Sequence, residues 1–161
     1  MKMYVLLVRS GYEEKIRDEL IGKGFRAAVP TEEMHIRSGG QWRICERLIF
    51  SGYVFVECDL TNEIYYQIKD IIGVIKFLGN TKAQPLFPDE QAYIKVLANG
   101  GKPIKASKIY TSPSGAKLIM SGFLRQYSDN VTWIDTRQRK AKLEITLYGR
   151  KKEIVLPAVE I

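Results

Sequence analysis

The sequence predicts an α+β fold joined to a small β-barrel, on three observations. Apolar runs and amphipathic stretches in residues 1–98 follow the order β-α-β-β-α-β-α. Beyond residue 107 the texture is short strands and turns. Charge divides along the same line. Residues 1–98 carry 13 Lys/Arg and 13 Asp/Glu, whereas residues 108–161 carry 10 and 5, with Lys102 and Lys105 between them. The whole net charge of +7 therefore lies in the last third and the stretch before it. A basic segment on a neutral one is either a polyanion-binding module beside a differently employed domain or a solvated basic surface. The expected division is a first domain over 1–98, a linker over 99–107 with two glycines and a proline, and a second domain over 108–161.

The elements follow in order. Tyr4-Val5-Leu6-Leu7-Val8 is a buried strand. Ser10-Gly11-Tyr12-Glu13 has the form of a capping box, in which the Ser hydroxyl and the Glu carboxylate satisfy each other's backbone donors. Tyr12, Ile16 and Leu20 then make one stripe of a helix that Gly22 and Gly24 end. Residues 25–30 read as a strand closed by Pro30. Residues 31–47 are polar, centred on Gly39-Gly40, and fit a hairpin or a mobile loop. Ile49-Phe50-Ser51-Gly52-Tyr53-Val54-Phe55-Val56-Glu57 is a turn and a strand with Tyr53 and Phe55 on one face, Val54 and Val56 on the other. Both faces are apolar, so this is a central core strand or one that docks a partner protein. Thr61 or Asn62 caps a second helix with Ile64 and Ile68 on one face, and residues 73–79 form a strand between glycines. After a turn at 85–88, Asp89 caps a third helix with Ile94 and Leu97 inward, ending at Asn99-Gly100-Gly101. Five strands follow: 116–120, 130–135, 142–148, 151–156 and a short one ending at Ile161, with a tight turn at Gly149-Arg150. Leu143, Ile145 and Leu147 face inward.

The chemistry points away from an enzyme. His35 is the single histidine, in a polar segment, and reads as an ordinary surface residue. No glycine stretch matches a phosphate-binding loop or a dinucleotide fingerprint. Cys45 and Cys58 have no metal-site spacing and read as reduced thiols in a cytosolic protein. The chain opens straight into a strand-like run with no signal-peptide pattern. No apolar run reaches the ~18 residues of a membrane span. Arg137-Gln138-Arg139-Lys140-Ala141-Lys142 and Arg150-Lys151-Lys152 occupy consecutive turns, which on a small barrel would form one cationic edge for phosphates. Trp133 and Tyr148 lie on or beside these strands as candidates to stack on unpaired bases, Trp133 alternatively filling the barrel core.

These stretches together resemble the NusG family. Residues 4–8, Phe50-Ser51-Gly52-Tyr53-Val54-Phe55-Val56, residues 73–79 and Pro85-Leu86 are similar in order and spacing to its amino-terminal (NGN) domain. Val131 and Ile134, with Leu147-Tyr148-Gly149-Arg150 downstream, resemble its carboxy-terminal KOW domain. The resemblance implies an antiparallel sheet flanked by helices, followed by an SH3-like KOW barrel. It implies a monomeric transcription elongation factor of the bacterial cytosol, with no cofactor, no metal and no membrane attachment. The partner that the resemblance implies is RNA polymerase. Leu7, Phe50, Tyr53 and Phe55 would meet its clamp helices, Tyr65 and Tyr66 its gate loop, and Arg9 and Ile72 would face upstream or non-template DNA.

Departures from the family point to specialisation. Met3-Tyr4 replaces Trp-Tyr, Ile72 replaces the arginine of some specialised members, and Gly122-Phe123-Leu124 replaces Gly-Pro-Phe. Asp129 stands at a usual glycine, where its tolerance of left-handed geometry would preserve the turn. With the basic turns, this resembles specialised antitermination paralogues of the LoaP type, whose basic KOW domain binds an RNA hairpin in the nascent transcript. The RNA-binding residues expected here are Lys117, Arg125, Trp133, Arg137, Arg139, Lys140, Lys142, Arg150, Lys151 and Lys152. The alternatives are a general factor coupling polymerase to the ribosome or Rho, and a ribosome-associated KOW protein.

Overall fold

The computed structural model describes residues 1–79 and 81–161. Its first elements are β1 (Lys2–Val8), α1 (Glu13–Gly22), β2 (Arg26–Ala28), β3 (Thr31–Ser38), β4 (Gln41–Leu48), β5 (Tyr53–Cys58), α2 (Asn62–Lys69), β6 (Val74–Phe77) and α3 (Pro88–Ala98). There follow β7 (Ser107–Thr111), β8 (Lys117–Ser121), α4 (Phe123–Gln126), β9 (Val131–Asp135), β10 (Lys140–Leu147) and β11 (Arg150–Glu160). They gather into two compact units, residues 1–29 with 50–93, and residues 30–49 with 94–161. The fold is α+β, a helix-backed sheet and a curled five-stranded half-barrel.

In the first unit the sheet order is β2-β5-β1-β6, every pairing antiparallel. Two split β-α-β units interleave to give it. Opposite residues share a face, so Val5, Leu7, Tyr53 and Phe55 line one side, and Leu6, Val54 and Phe77 the other. Val5, Leu6, Val54, Phe55 and Val56 are all buried, so both faces of β5 are covered from Val54 to Val56, as its two-sided apolar pattern requires. On α2, Tyr65 stacks on Phe77 with centroids 5.1 Å apart, and Thr61 caps the helix by accepting from the Ile64 N–H.

Two helix starts differ from expectation. Gly11, at φ 93°, bends the chain so that Tyr12 and not Ser10 stands at the head of α1, with no side-chain cap. Glu13 accepts instead from the Gly11 N–H at 2.7 Å and the Gly52 N–H at 2.8 Å. Burial opposes its charge, but backbone N–H groups outweigh it and hold the carboxyl below its ordinary value. The charge thus ties α1 to the turn that introduces β5. In α3 the first residue is Pro88, whose missing N–H costs nothing there, and Asp89 lies inside the first turn rather than capping it. Glu90 reaches back to the Phe87 N–H at 3.0 Å. Gly73 marks a close approach: a Cβ there would stand 2.6 Å from the Tyr12 ring, and its φ is +100°.

In the second unit, residues 31–47 prove to be a hairpin. β3 and β4 pair from Thr31↔Leu48 to Ser38↔Gln41 across Gly39-Gly40, both at positive φ as a primed turn demands. The N-terminal order expected from sequence therefore gains two strands. The half-barrel runs β8-β7-β11-β10-β9. Its strands are five, as expected, but not the same five. β7 begins at Ser107, inside the stretch read as linker, and a single β11 replaces the last two expected strands. Pro157 does not break β11 because the strand changes partner there. Up to Pro157 it pairs with β10, and from Ala158 it runs parallel to β7, so one missing donor is tolerated. The β10–β11 turn is Tyr148-Gly149, both at positive φ, one residue earlier than expected. Asp129 takes no left-handed position; it lies in a 3-10 turn, Ser128–Asn130. Ala141, Leu143, Ile145 and Leu147 point into the core, as their alternation predicts.

Candidate protein and nucleic-acid interfaces

In the first unit, Leu7 and Tyr53 stand directly opposite each other on β1 and β5, and both are half-buried. Phe50 and Phe55 are 2% and 1% exposed and pack edge to face at 5.4 Å. They belong to the core and offer no surface. On α2, Tyr65 is half-buried on Phe77, while Tyr66 is 62% exposed and meets Tyr65 edge-on at 5.1 Å. Arg9 and Ile72 are exposed. Both cysteines are free. Burial, aided by Asp59, pushes the Cys58 thiol up to about 11, while Cys45 is exposed.

In the second unit the basic residues do not form the single edge expected of them. Arg137, Arg139 and Lys140 sit at the β9–β10 turn, and Arg150, Lys151 and Lys152 at and beyond the β10–β11 turn. These turns close opposite ends of β10, an eight-residue strand. At ~3.3 Å per residue they lie roughly 23 Å apart. Between them Glu144 faces Glu153 across the strands. Lys151 approaches Glu144 at 3.8 Å and Lys142 approaches Glu153 at 3.9 Å, so acids break the basic surface. Trp133 is outside the core, 37% exposed, with the Lys142 ammonium 5.0 Å from its ring centre. Arg125, also exposed, donates to the Met120 carbonyl at 2.7 Å.

Lys117 joins the β9–β10 end, its ammonium 3.2 Å from the Thr111 hydroxyl and 3.5 Å from that of Thr136. The Asp135 carboxylate shapes the turn by accepting from the Arg137 and Gln138 N–H groups. The turn ends on Arg139 at φ 56°, a left-handed position where glycine or asparagine is ordinary.

The hairpin of β3 and β4 supplies what sequence reasoning missed. The Arg139 guanidinium carbon lies 4.2 Å from the Trp42 ring centre, and that of Arg37 lies 5.8 Å from it. His35 is not an ordinary surface residue. It is half-buried, its Nδ1 3.1 Å from Arg139 Nη1. Burial first, then the Arg139 charge, lower its pKa, so the ring is neutral and accepts. The signal was Arg37 and Trp42 flanking a Gly-Gly turn: the turn places them opposite each other. Deeper in the hairpin, Glu32 is 3% exposed and its Oε2 has no hydrogen-bond partner among the described residues. Burial pushes its carboxyl up to about 7, against the pull of Arg47 and Lys140.

Among the described residues no group of His, Cys, Asp and Glu could hold a metal ion, and no helix is long and apolar enough to cross a membrane. Residues 1–95 match the family model described as transcription termination factor NusG. The chain is 28% identical to the transcription termination/antitermination protein NusG of Bacillus subtilis, over 98% of its own length and 96% of the relative's. It is 26% identical to the protein of that name from Thermus thermophilus, over 97% and 95% of the two lengths. Among solved structures it resembles one described as domain interaction in Thermotoga maritima NusG, with a TM-score of 0.55, 23% identity and coverage of 97% and 93%. That likeness is one of fold.

Proposed function

The chain belongs to the NusG family, and from that we propose that it is a transcription elongation and processive antitermination factor that binds RNA polymerase through its first unit and structured RNA in the nascent transcript through its basic second unit. The family is one of transcription factors, not of enzymes. The observation that carries the polymerase contact is the Leu7–Tyr53 pair, two large side chains side by side and half-exposed on β1 and β5, where Val5, Leu6, Val54, Phe55 and Val56 are buried. Tyr66 adds exposed aromatic surface on α2. The RNA contact is supported by the cations at the β9–β10 turn. Joining the two grips in one chain raises the effective concentration of each partner for the other. The rewritten Gly122-Phe123-Leu124 loop supports a specialised, LoaP-like member over a general one.

A barrel that binds protein, as a factor coupling polymerase to the ribosome or Rho would need, is the second reading. It is favoured by the groove between β8 and β9, lined by Leu118, Met120, Val131 and Ile134 with Lys117 and Arg125 at its sides.

The test is retention on immobilised RNA polymerase and readthrough of a terminator in vitro. Tyr53→Ala is expected to weaken polymerase binding about tenfold, as loss of a central aromatic contact does. Unchanged retention of that variant would reject the Leu7–Tyr53 surface.

A further inference from the structure

Arg139 is held in the second unit by both an aromatic ring and a histidine. It occupies a backbone conformation that disfavours a side chain, at the end of the turn after β9. Its guanidinium lies over Trp42 at 4.2 Å and donates to the neutral His35 ring at 3.1 Å. Arg37 approaches the same indole at 5.8 Å. A guanidinium carries five N–H groups in a planar fork, and His35 engages one of them among the described residues. A stacked, oriented fork suits two acceptors side by side, as on a phosphate or on the O6 and N7 of guanine. The hairpin supplies both the platform and the acceptor that fix it.

We infer that the β3–β4 hairpin forms the second wall of an RNA-binding site, in which Trp42 and His35 hold Arg139 for bidentate contact with structured RNA and Arg37 adds a second cation on the same face. This rests on the RNA-binding reading above and extends the site to residues outside the half-barrel. The site has a definite limit. On that face of the hairpin the next pair beyond His35 and Ile44 is Glu33 with Glu46, which would repel a phosphate chain. Arg43 pairs with Ile36 and lies on the opposite face, so it is outside the site.

The experiment uses the full chain and a fluorescent stem-loop RNA obtained by selection against it, with a DNA stem-loop of the same sequence beside it. Trp42→Ala is expected to weaken RNA binding about tenfold, since it frees Arg139 and removes a stacking surface. Trp42→Phe, which keeps a ring, should recover part of that loss. Arg37→Ala should weaken binding and lower the slope of log affinity against log salt by about 1, while Arg43→Ala, the same loss of charge on the other face, should not. Thermal melting of each variant identifies any that fails to fold, and Arg37→Ala against Arg43→Ala decides the matter if Trp42→Ala does. If Arg139→Ala abolishes binding while Trp42→Ala and Arg37→Ala bind like wild type, the hairpin wall is wrong and the RNA reading stands. If selection yields no binding RNA, both fall. Equal affinity for the DNA stem-loop overturns the assignment to RNA.

Discussion

The two units put aromatic rings to different use. In the first, rings pack on rings: Tyr4 and Tyr65 on Phe77, Phe50 on Phe55, Tyr66 on Tyr65. In the second, the two indoles carry cations, Trp42 under Arg139 and Arg37, Trp133 under Lys142. The division has exceptions, since Phe123 packs against Tyr127 and Lys15 lies 6.0 Å from the Tyr12 ring. What it teaches is that an aromatic ring on a sheet face serves cohesion where its neighbours are apolar and serves as a platform where they are basic. Composition counts both alike.

Substitutions can break this comparison by moving the wrong property. The largest effect is expected from replacing Arg137, Arg139 and Lys140 together with Ala. RNA affinity should fall about 100-fold at moderate salt, whereas the same change at Arg150, Lys151 and Lys152 should cost only about threefold, because acids interrupt that surface. Filter binding of both triples checks it, and equal losses would return all six cations to one diffuse field.

Gly73→Ala tests cohesion in the first unit. The added methyl meets the Tyr12 ring at a positive φ, so a loss of about 2 kcal/mol or more is expected. Chemical denaturation measures it, and RNA affinity under native conditions should not change.

Glu32→Gln probes the second unit by pH. The folded carboxyl, at about 7, stands above its ordinary 4.5. Its contribution is therefore fully present below about 4.5 and is lost as pH rises through 7. At pH 8 the amide variant should be the more stable, by about 2 kcal/mol, with the difference gone or reversed at pH 4. Melting curves across this range decide it. Trp133→Ala should do least, lowering RNA affinity about twofold, as an exposed cation–π pair is worth little.

The sequence showed the strands and helices whose signal is local. Tyr53-Val54-Phe55-Val56 is apolar on both faces, and Val54, Phe55 and Val56 proved buried with Tyr53 half-buried at the strand's start; Thr61 caps α2 as read. It misled where a distant partner decided the outcome. Glu13 looked like half of a capping box, but its second acceptor bond goes to Gly52, 39 residues away. β7 has one core aliphatic, Ile109, and is a strand because β8 and β11 pair with it. The basic turns adjoin in sequence, yet the length of β10 separates them. Arg37, Trp42 and His35 sit in a polar stretch with no amphipathic period, and their value comes from Arg139, about a hundred residues later.

The outer edge of β4 has a further consequence. Among the described residues β4 has only β3 beside it in its two-stranded sheet, so its far side offers backbone donors and acceptors with no strand paired to them. Such a row invites another chain to continue the sheet. Arg43, Glu46 and Arg47, all exposed, stud this strand with alternating signs of charge. Two copies brought together in antiparallel register must bury or cross these charges before a single backbone bond forms. Guarding against that stacking of molecules is a task for Arg43 and Arg47 quite apart from any ligand, and a chain stripped of them would be the one to precipitate.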